Sequence, residues 1–342
     1  MKKFKFAKYT LITLLSLILF PFMLYLYLAP TKAEKVTYGL NFSNKYAQEL
    51  NLDWKKTFDE ILLEVPTKKF RIAVYWDEVQ KDSVSYDYSN IKYQLDALEK
   101  YPDSEVILVF GRKVIRYPEC HEPKWWQEIR DEDEKKVVLL NYIDRTVSEL
   151  KSYKSIKYWQ VENEAMFPFG ECTSLTNLSE TLEKEIEVVR NQDTRKILIQ
   201  DSGEGGFWIP SSKMGDYLGI SMYRKVWFDL FGMLTQNSFA LKYPLGPSFY
   251  KIKAFLLGIP VEKIKATEVQ AEPWGPVRNY ILRDEEVNKT MSKEDFIAIF
   301  EFTKESGFEE FHLWGVEWWY HMKKVHGNNF YWDTAISKIN QK

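Results

Sequence analysis

The sequence has few residues that bind metals or form redox centres. Its 342 residues include only two cysteines, Cys120 and Cys172, and four histidines. The cysteines do not form a CxxC motif, and no Cys/His cluster has the spacing of a metal site. A zinc module or a dithiol redox centre is therefore excluded, and we expect no bound metal.

An excess of positive charge is also absent. The chain carries 47 Lys and Arg against 49 Asp and Glu, a formal net charge of −2, and the two signs are well mixed. A nucleic-acid-binding protein needs a basic face, so we expect no nucleic-acid partner. Residues 35–342 contain no internal repeat, low-complexity tract or linker, which predicts one large domain.

The N-terminus departs from this even mixing of charge. Four lysines occur before Tyr9, and the 23 residues from Tyr9 through Thr31 include no charged side chain. As a helix this run reaches about 34 Å, enough for one bilayer crossing. We predict that residues 1–34 form a cytoplasmic stub and a membrane anchor, with the rest of the chain outside the cytoplasm. The alternative is a cleaved signal peptide and a secreted protein, but the run is long and Thr31-Lys32-Ala33 is a poor cleavage site.

Short β-branched and aromatic runs alternate with amphipathic helical stretches along the remaining chain. This alternation is typical of βα units and a parallel sheet, and eight such units predict an α/β fold, a (β/α)₈ barrel. The predicted strands are Val36–Phe42, Phe70–Tyr75, Glu105–Phe110, Ser155–Glu162, Lys196–Gln200, Tyr217–Met222, Lys263–Glu268 and Glu310–Trp314. The fifth unit is expected to be degenerate because the interval before the sixth strand is too short for a full helix.

One segment, Val226–Ile259, is longer than an ordinary loop between a strand and a helix. It is rich in Phe, Leu and Tyr and also contains several lysines. Apolar residues at helical spacing favour a core-facing helix within an insertion. The alternative is an amphipathic surface segment that lies against the membrane or roofs the cleft.

Two predicted strands end in carboxylates. The fourth leads into Asn163-Glu164, and the seventh ends at Thr267-Glu268. In a (β/α)₈ barrel the working residues lie at the carboxyl ends of the strands, so both glutamates are expected at one mouth. Glycosidic cleavage needs an acid to protonate the departing oxygen and a carboxylate to meet the anomeric carbon. Glu164 and Glu268 are therefore candidate catalytic residues of a glycosidase.

The two strand ends resemble the signatures of clan A glycoside hydrolases, which are retaining (β/α)₈ enzymes. The resemblance continues in order along nearly the whole domain, through Arg71 in strand two, His121 in the loop after strand three, Asn163 beside Glu164, Tyr223 at strand six and Trp314 at strand eight. It implies that Glu268 is the nucleophile and Glu164 the acid/base. Their carboxyl groups should then lie about 5–5.5 Å apart.

The same resemblance implies roles for the supporting residues. Arg71 and Tyr223 aim Glu268 and keep it ionised, and Asn163 holds the sugar 2-hydroxyl. Trp314 stacks below the sugar ring, and His121 contacts sugar.

Glu272 is a second candidate nucleophile. It has the same strand parity as Glu268 but lies four residues farther along the chain. The Thr-Glu pattern favours Glu268, which leaves Glu272 as a sugar-binding acid.

Aromatic residues make up 16% of the chain, including 12 tryptophans. Sugar C–H faces lie flat on aromatic planes, so a Trp-rich rim is expected to bind carbohydrate, with Trp274 as a substrate-binding residue; the alternative is core packing. The tryptophans that follow predicted strand ends are Trp76, Trp125, Trp126, Trp208, Trp227, Trp274, Trp314, Trp318 and Trp319.

The two cysteines follow neighbouring predicted strands, since Cys120 comes after the third strand and Cys172 after the fourth. Neighbouring strands bring their loops together at one rim. Outside the cytoplasm such a pair is expected to form a disulfide. Two free thiols are the alternative.

The sequence therefore predicts a retaining hydrolase of a β-linked glycan that needs no metal or organic cofactor and whose partner is an oligo- or polysaccharide. A catalytically silent carbohydrate-binding barrel is the main alternative, but retention of both Glu164 and Glu268 counts against it. A membrane-associated interaction protein that uses Val226–Ile259 would not account for the strand-end acids. Transglycosylation uses the same residues and stays open.

Overall fold

The computed structural model describes residues 9, 13–23, 32–228 and 239–341, and its centre is a closed barrel of parallel strands. The strands in chain order are β1 (Thr37–Phe42), β2 (Lys69–Ala73), β3 (Glu105–Phe110), β4 (Ile156–Val161), β5 (Lys196–Asp201), β6 (Tyr217–Met222), β7 (Lys225–Phe228), β8 (Phe239–Lys242), β9 (Ile264–Gln270) and β10 (Glu310–Trp314). The order around the barrel is β1-β10-β9-β6-β5-β4-β3-β2, and β7 and β8 form a separate antiparallel pair. The predicted (β/α)₈ barrel is confirmed, and each predicted barrel strand matches an observed one to within two residues.

Helices surround the barrel on its outer face. They are α1 (Asn44–Glu49), α2 (Trp54–Glu64), α3 (Trp76–Val79), α4 (Ser89–Leu98), α5 (Lys124–Gln127), α6 (Glu132–Leu150), α7 (Leu178–Gln192), α8 (Ile209–Met214), α9 (Phe249–Leu256), α10 (Asp284–Met291), α11 (Lys293–Ser306), α12 (Val316–Lys324) and α13 (Phe330–Asn340). Between β5 and β6 only the six-residue α8 occurs, so the degenerate fifth unit is confirmed.

Apolar side chains pack between the strands and the helices. The rings of Phe42 and Phe58 lie 4.7 Å apart, and those of Phe58 and Phe70 lie 5.7 Å apart. Each is fully buried, so this contact joins β1, α2 and β2 in one apolar layer. Burial of large aromatic side chains is a major stabilising contribution, and here it holds the barrel strands against the outer helices.

The barrel interior towards the carboxyl ends of the strands is polar. Asn41 Nδ2 donates to the Thr267 carbonyl oxygen at 3.0 Å, and the Thr267 hydroxyl donates to Gln200 Oε1 at 2.6 Å. Arg71 Nε donates to Gln160 Oε1 at 2.8 Å. Because these buried groups are paired with one another, the network fixes side-chain orientations below the mouth of the barrel.

The Val226–Ile259 segment combines features of both structures expected for it. Within it, α9 buries Tyr250 and Ala254 against the barrel domain, which agrees with the core-facing helix. The β7–β8 pair stands at the mouth, where Val226 and Trp227 line the main cavity. Residues 229–238 lie outside the described part of the chain.

The predicted membrane anchor lies mostly outside the described residues. Residues 13–23 are helical, whereas most of the remainder of Tyr9–Thr31 is not described. Within the described ranges, no helix is both long and apolar enough to span a bilayer. The anchor therefore stays a prediction from the sequence.

Candidate active site

A cavity of about 760 Å³ opens at the carboxyl ends of the barrel strands. Its volume lies within the range of small-molecule binding sites. Six glutamates line it: Glu49 at the end of α1, Glu119 after β3, Glu164 after β4, Glu204 after β5, Glu268 near the end of β9 and Glu272 just after β9. The parallel strands explain this convergence, since all their carboxyl ends lie at one rim.

Glu268 lies near the end of β9, and residues on or just after three other barrel strands donate hydrogen bonds to its carboxylate. Arg71 Nη1 on β2 and Gln200 Nε2 on β5 donate to Oε1 at 2.8 and 2.9 Å. The Tyr223 hydroxyl, just after β6, donates to Oε2 at 3.2 Å. Donors to an ionised carboxylate stabilise its charge, so this arrangement favours a nucleophile held in one orientation.

Arg71 is the centre of the buried network under the site. Its side chain is fully buried, and besides Glu268 it donates to Asn41 Oδ1 at 2.9 Å and to Asn163 Oδ1 at 2.7 Å. A buried guanidinium needs such partners because an unpaired buried charge is costly. Arg71 therefore links the strand that carries Glu268 to the turn that carries Glu164.

The turn after β4 positions Glu164. Glu162 and Glu164 both have positive φ angles, 59° and 48°, which are uncommon for residues other than glycine. The Glu162 carboxylate accepts hydrogen bonds from the backbone N–H groups of Arg112 and Lys113 at 2.8 and 2.7 Å. These bonds hold the turn against the loop after β3. The turn thereby directs Glu164 into the cavity.

Glu164 has a different environment from Glu268. Its Oε1 accepts a hydrogen bond from the Ser221 hydroxyl at 2.9 Å. Burial raises the pKa of Glu164 well above its ordinary value, and the negative charges of Glu268 and Glu119 raise this pKa further. A carboxyl group that stays protonated beside an ionised one has the properties of a general acid.

Glu119 is a residue of the site that the sequence did not single out. Its Oε2 accepts a hydrogen bond from Asn163 Nδ2 at 3.0 Å. Burial, followed by repulsion from Glu268, raises the pKa of Glu119 to about 7. The one available signal was its place in the Tyr117-Pro118-Glu119-Cys120 loop after β3.

A second polar cluster lies across the cavity and has Arg116 at its centre. The Arg116 guanidinium lies between the rings of Tyr46 and Trp314, 3.8 and 4.1 Å from their centroids. It forms ion pairs with Glu272 and with Glu317, the latter at 3.0 Å. Glu272 also accepts a hydrogen bond from Trp314 Nε1 at 2.9 Å.

The contacts of this cluster distinguish the two candidate nucleophiles, Glu268 and Glu272. Glu272 is engaged by Arg116 and Trp314, whereas Arg71, Gln200 and Tyr223 surround Glu268. Burial raises the pKa of Glu272, and Arg116 partly opposes this rise. The supporting contacts expected of a nucleophile therefore lie at Glu268.

His121 does not line the cavity, although the sequence predicted a contact with sugar. Its ring packs edge-on against Tyr75, with Nε2 3.1 Å from the Arg116 carbonyl oxygen and Nδ1 3.0 Å from Lys45 Nζ. Burial and the Lys45 charge lower the pKa of His121 to about 4, so the ring is neutral near pH 7. It supports the loop that carries Arg116 and has no direct place in the site.

The expectation of a Trp-rich rim was wrong for most of the tryptophans. Trp76, Trp126, Trp208, Trp318 and Trp319 are fully buried, and Trp125 does not line the cavity. Trp76, for example, stacks on Tyr142 at a centroid distance of 4.7 Å. Core packing between the rim and the helices explains these residues. Trp227, Trp274 and Trp314 do line the cavity.

The predicted disulfide is confirmed. Cys120 and Cys172 are bonded, with their Cα atoms 5.1 Å apart. The bond joins the loop that carries Glu119 to the loop that follows Glu164. It therefore connects two loops that border the cavity. Within the described ranges, no cluster of His, Cys, Asp and Glu side chains could hold a metal ion.

Several solved structures are similar to this chain. GH5_18 from Streptomyces cattleya, solved in complex with GlcNAc, is 11% identical with a TM-score of 0.55, and the match covers 82% of this chain and 71% of that one. Exo-β-1,4-mannosidase Op5Man5 from Opitutaceae bacterium strain TAV5 is 14% identical with a TM-score of 0.55, over 84% of this chain and 53% of that one. A β-galactosidase from Marinomonas ef1 is 11% identical with a TM-score of 0.54, over 81% and 54%.

No protein-family model matches the sequence, and no curated protein matches it either. At identities this low, the structural likeness shows the fold. The fold is the (β/α)₈ barrel that these glycoside hydrolases share, in agreement with the resemblance to clan A.

Proposed function

We propose that this protein is a retaining glycoside hydrolase that acts on a β-linked glycan. The observation that carries the proposal is the contrast between two carboxyl groups in one cavity. Three donors surround Glu268, whereas burial and neighbouring negative charges raise the pKa of Glu164. A retaining mechanism needs this pairing of an ionised nucleophile with a protonated acid.

In the first step a Glu268 oxygen bonds to the anomeric carbon as the bond to the leaving oxygen breaks. Glu164 gives its proton to that oxygen, and the leaving group departs as an alcohol. In the second step Glu164, now ionised, takes a proton from water as the water oxygen attacks the anomeric carbon. The bond to Glu268 breaks, Glu164 is protonated again, and the sugar keeps its original configuration.

The supporting residues have separate roles in this proposal. Arg71 and Tyr223 hold Glu268 ionised and aimed, and Asn163 presents its amide to the sugar 2-hydroxyl. Trp314 is 7% exposed and Arg116 covers part of its ring, so it offers the sugar only a small apolar edge. Trp274 provides a wider aromatic surface, since it lines the cavity beside Tyr223.

The substrate class follows from the chemistry of the cavity. Carboxylates and aromatic rings together match the hydroxyl groups and C–H faces of sugars. A variant of GH5_18 from Bifidobacterium longum was solved with Manb1-4GlcNAc at a TM-score of 0.55. We extend this to the present chain as a proposal that its substrate contains a β-linked hexose. Transglycosylation would use the same residues.

We also propose that the enzyme works outside the cytoplasm, held to the cell membrane by residues 1–34. The uncharged run Tyr9–Thr31 and the lysines before it support this location. The disulfide supports an oxidising compartment. Release after signal cleavage is the alternative.

A panel of aryl β-glycosides and β-linked polysaccharides tests the proposed activity. We expect turnover of at least one member, with a product that first appears as the β-anomer by NMR. A first-formed α-anomer would contradict the retaining mechanism. Binding without turnover of any member would instead favour the catalytically silent carbohydrate-binding barrel.

A further inference from the structure

On one side of the cavity, side chains from distant loops contact one another. Arg116, in the loop after β3, bonds to Glu272 in the loop after β9 and to Glu317 in α12. In the barrel order β3 lies opposite β9, so this contact crosses the mouth. An ordinary loop contact joins neighbouring strands and leaves the mouth open.

Further contacts extend the Arg116, Glu272 and Glu317 contacts outward, and we call the whole set of contacts the wall. Asn279 Nδ2 donates to the Tyr46 hydroxyl at 2.9 Å, and Arg278 pairs with Glu49 at 3.5 Å. The Arg278 guanidinium also lies 4.6 Å from the centroid of the Tyr117 ring. The loops after β1, β3 and β9 are thus bound to one another along one side of the cavity.

The position of this wall relative to Glu164 decides which part of a substrate it blocks. Glu164 follows β4, and β4 lies opposite β10 in the barrel. The Arg116 cluster lies at β10, through Trp314, and at the adjacent β1 end, through Tyr46. The acid and the wall therefore stand on opposite sides of the mouth.

The acid protonates the oxygen that joins the cleaved sugar to its leaving group, so the leaving group lies on the side of Glu164. The sugar that bonds to Glu268 extends the other way, towards the wall. That direction leads to the non-reducing end of a glycan chain. The Arg116, Glu272 and Glu317 contacts on that side limit how far a glycan chain can extend beyond the sugar bonded to Glu268.

We propose, on the basis of the proposed function, that this enzyme is exo-acting and removes single sugars from the non-reducing end of a β-linked glycan. Arg116 and Glu272 lie in the wall and determine this specificity. The chain of the substrate leaves the cavity on the Glu164 side, where Phe167 and Phe169 border the opening.

The test is the product pattern from β-1,4-linked tetrasaccharides of mannose, glucose, galactose and N-acetylglucosamine, each labelled at its reducing end with a fluorophore. For the full chain we expect free monosaccharide and the labelled trisaccharide as the first products. Early labelled mono- or disaccharide would overturn the exo-acting assignment while leaving the hydrolase intact. If the protein turns over neither these substrates nor the aryl glycosides, the proposed function is overturned, and the inference with it.

Two variants test whether the wall determines the product pattern. Arg116→Ala should open the wall, so labelled disaccharide should appear among its first products. Arg145→Ala removes the same charge from the exposed face of α6 and should keep the wild-type pattern. A folded Arg116→Ala variant that still releases only monosaccharide would overturn the role of Arg116. If that variant does not fold, the wild-type pattern alone decides between exo and endo action.

Discussion

The two central glutamates differ in their surroundings. Glu268 accepts hydrogen bonds from a guanidinium, an amide and a phenol, which hold its side chain in one orientation. Glu164 accepts one hydroxyl donor and faces two other carboxyl groups, which favour its protonated form. Each side chain is the same chemical group, so environment alone assigns the proposed roles.

Removal of either carboxylate should give a different defect. Glu268→Ala should abolish turnover of all substrates, because no covalent intermediate can form. Glu164→Ala should still form the intermediate from an aryl glycoside with an acidic phenol, since that leaving group needs no proton. Azide should then restore turnover of Glu164→Ala and yield a β-glycosyl azide, whereas with Glu268→Ala it should yield the α-azide.

Product configuration by NMR and single-turnover kinetics check this assignment. Circular dichroism of both variants provides the control for folding. Two folded variants that azide does not rescue would rule out this pair as the retaining carboxylates.

Glu119 should adjust the pH range of activity through its charge. That charge raises the pKa of Glu164, so Glu119→Gln should lower the pKa of the acid. An acid of lower pKa loses its proton at lower pH, and the alkaline limb of kcat/KM should therefore move to lower pH by roughly one unit. Glu128→Gln, an exposed glutamate just after α5, is the matched control and should leave the limb in place. An alkaline limb that moves equally in both variants, or in neither, would contradict the electrostatic role of Glu119.

At the level of the strands and helices, the chain after β5 approaches the end of β6 so closely that position 203 requires glycine. A Cβ atom on Gly203 would lie 1.7 Å from the Ser221 carbonyl oxygen. The Gly203 N–H also donates to the Ser221 hydroxyl at 3.1 Å, and that hydroxyl donates to Glu164. The close approach of these two strand ends thus helps to position the proposed acid.

Gly203→Ala should therefore reduce both stability and turnover. Displacement of a strand end by an added methyl group typically costs about 1–3 kcal/mol, and movement of Ser221 away from Glu164 should lower kcat. Urea unfolding and steady-state kinetics measure the two effects. Gly246→Ala, where nothing lies within 4 Å of the added atom, should change stability by less than about 0.5 kcal/mol. Equal behaviour of the two variants would contradict this account.

The disulfide constrains two neighbouring elements of the rim. It closes a loop between positions 52 residues apart, from the loop after β3 to the segment after β4. The chain-entropy relation assigns such a loop a stabilisation of about 4 kcal/mol. The Cys120→Ser, Cys172→Ser double variant should lower the free energy of unfolding by roughly 2–4 kcal/mol in urea.

Reducing agent is the control for this experiment, because it should destabilise the wild type and leave the double variant unchanged. Thiol titration of the unreduced, denatured wild type should detect no free thiol. Detection of two reactive thiols would contradict the bond in the isolated protein.

At the scale of the whole molecule, the sequence predicts that residues 1–34 anchor the protein in the membrane. The full chain should remain in the membrane fraction after a carbonate wash, and its N-terminal peptide should be intact by mass spectrometry. Four lysines before Tyr9 should keep this end in the cytoplasm, so protease added from outside should remove the barrel but leave the stub. A soluble product that begins near Ala33 would favour the cleaved signal peptide.

The chain sequence determined the barrel and most of the proposed catalytic centre. Alternating strand and helix patterns predicted each barrel strand to within two residues. A closed parallel barrel places every strand end at one rim. Arg71, Asn163, Glu164, Tyr223 and Glu268 lie at or near strand ends, so their meeting follows from topology without knowledge of any loop.

Only the tertiary structure decided the roles of loop residues. Arg116 reaches Glu272 across 156 residues of sequence, and no local pattern encodes that contact. Glu119 faces the cavity while His121, two residues later, turns away from it towards Tyr75. The tryptophans show the same limit, because aromatic residues after a strand end can pack under the helices or face the cavity. Strand ends are placed by backbone hydrogen bonding, whereas the direction of a loop side chain depends on packing partners that are distant in the sequence.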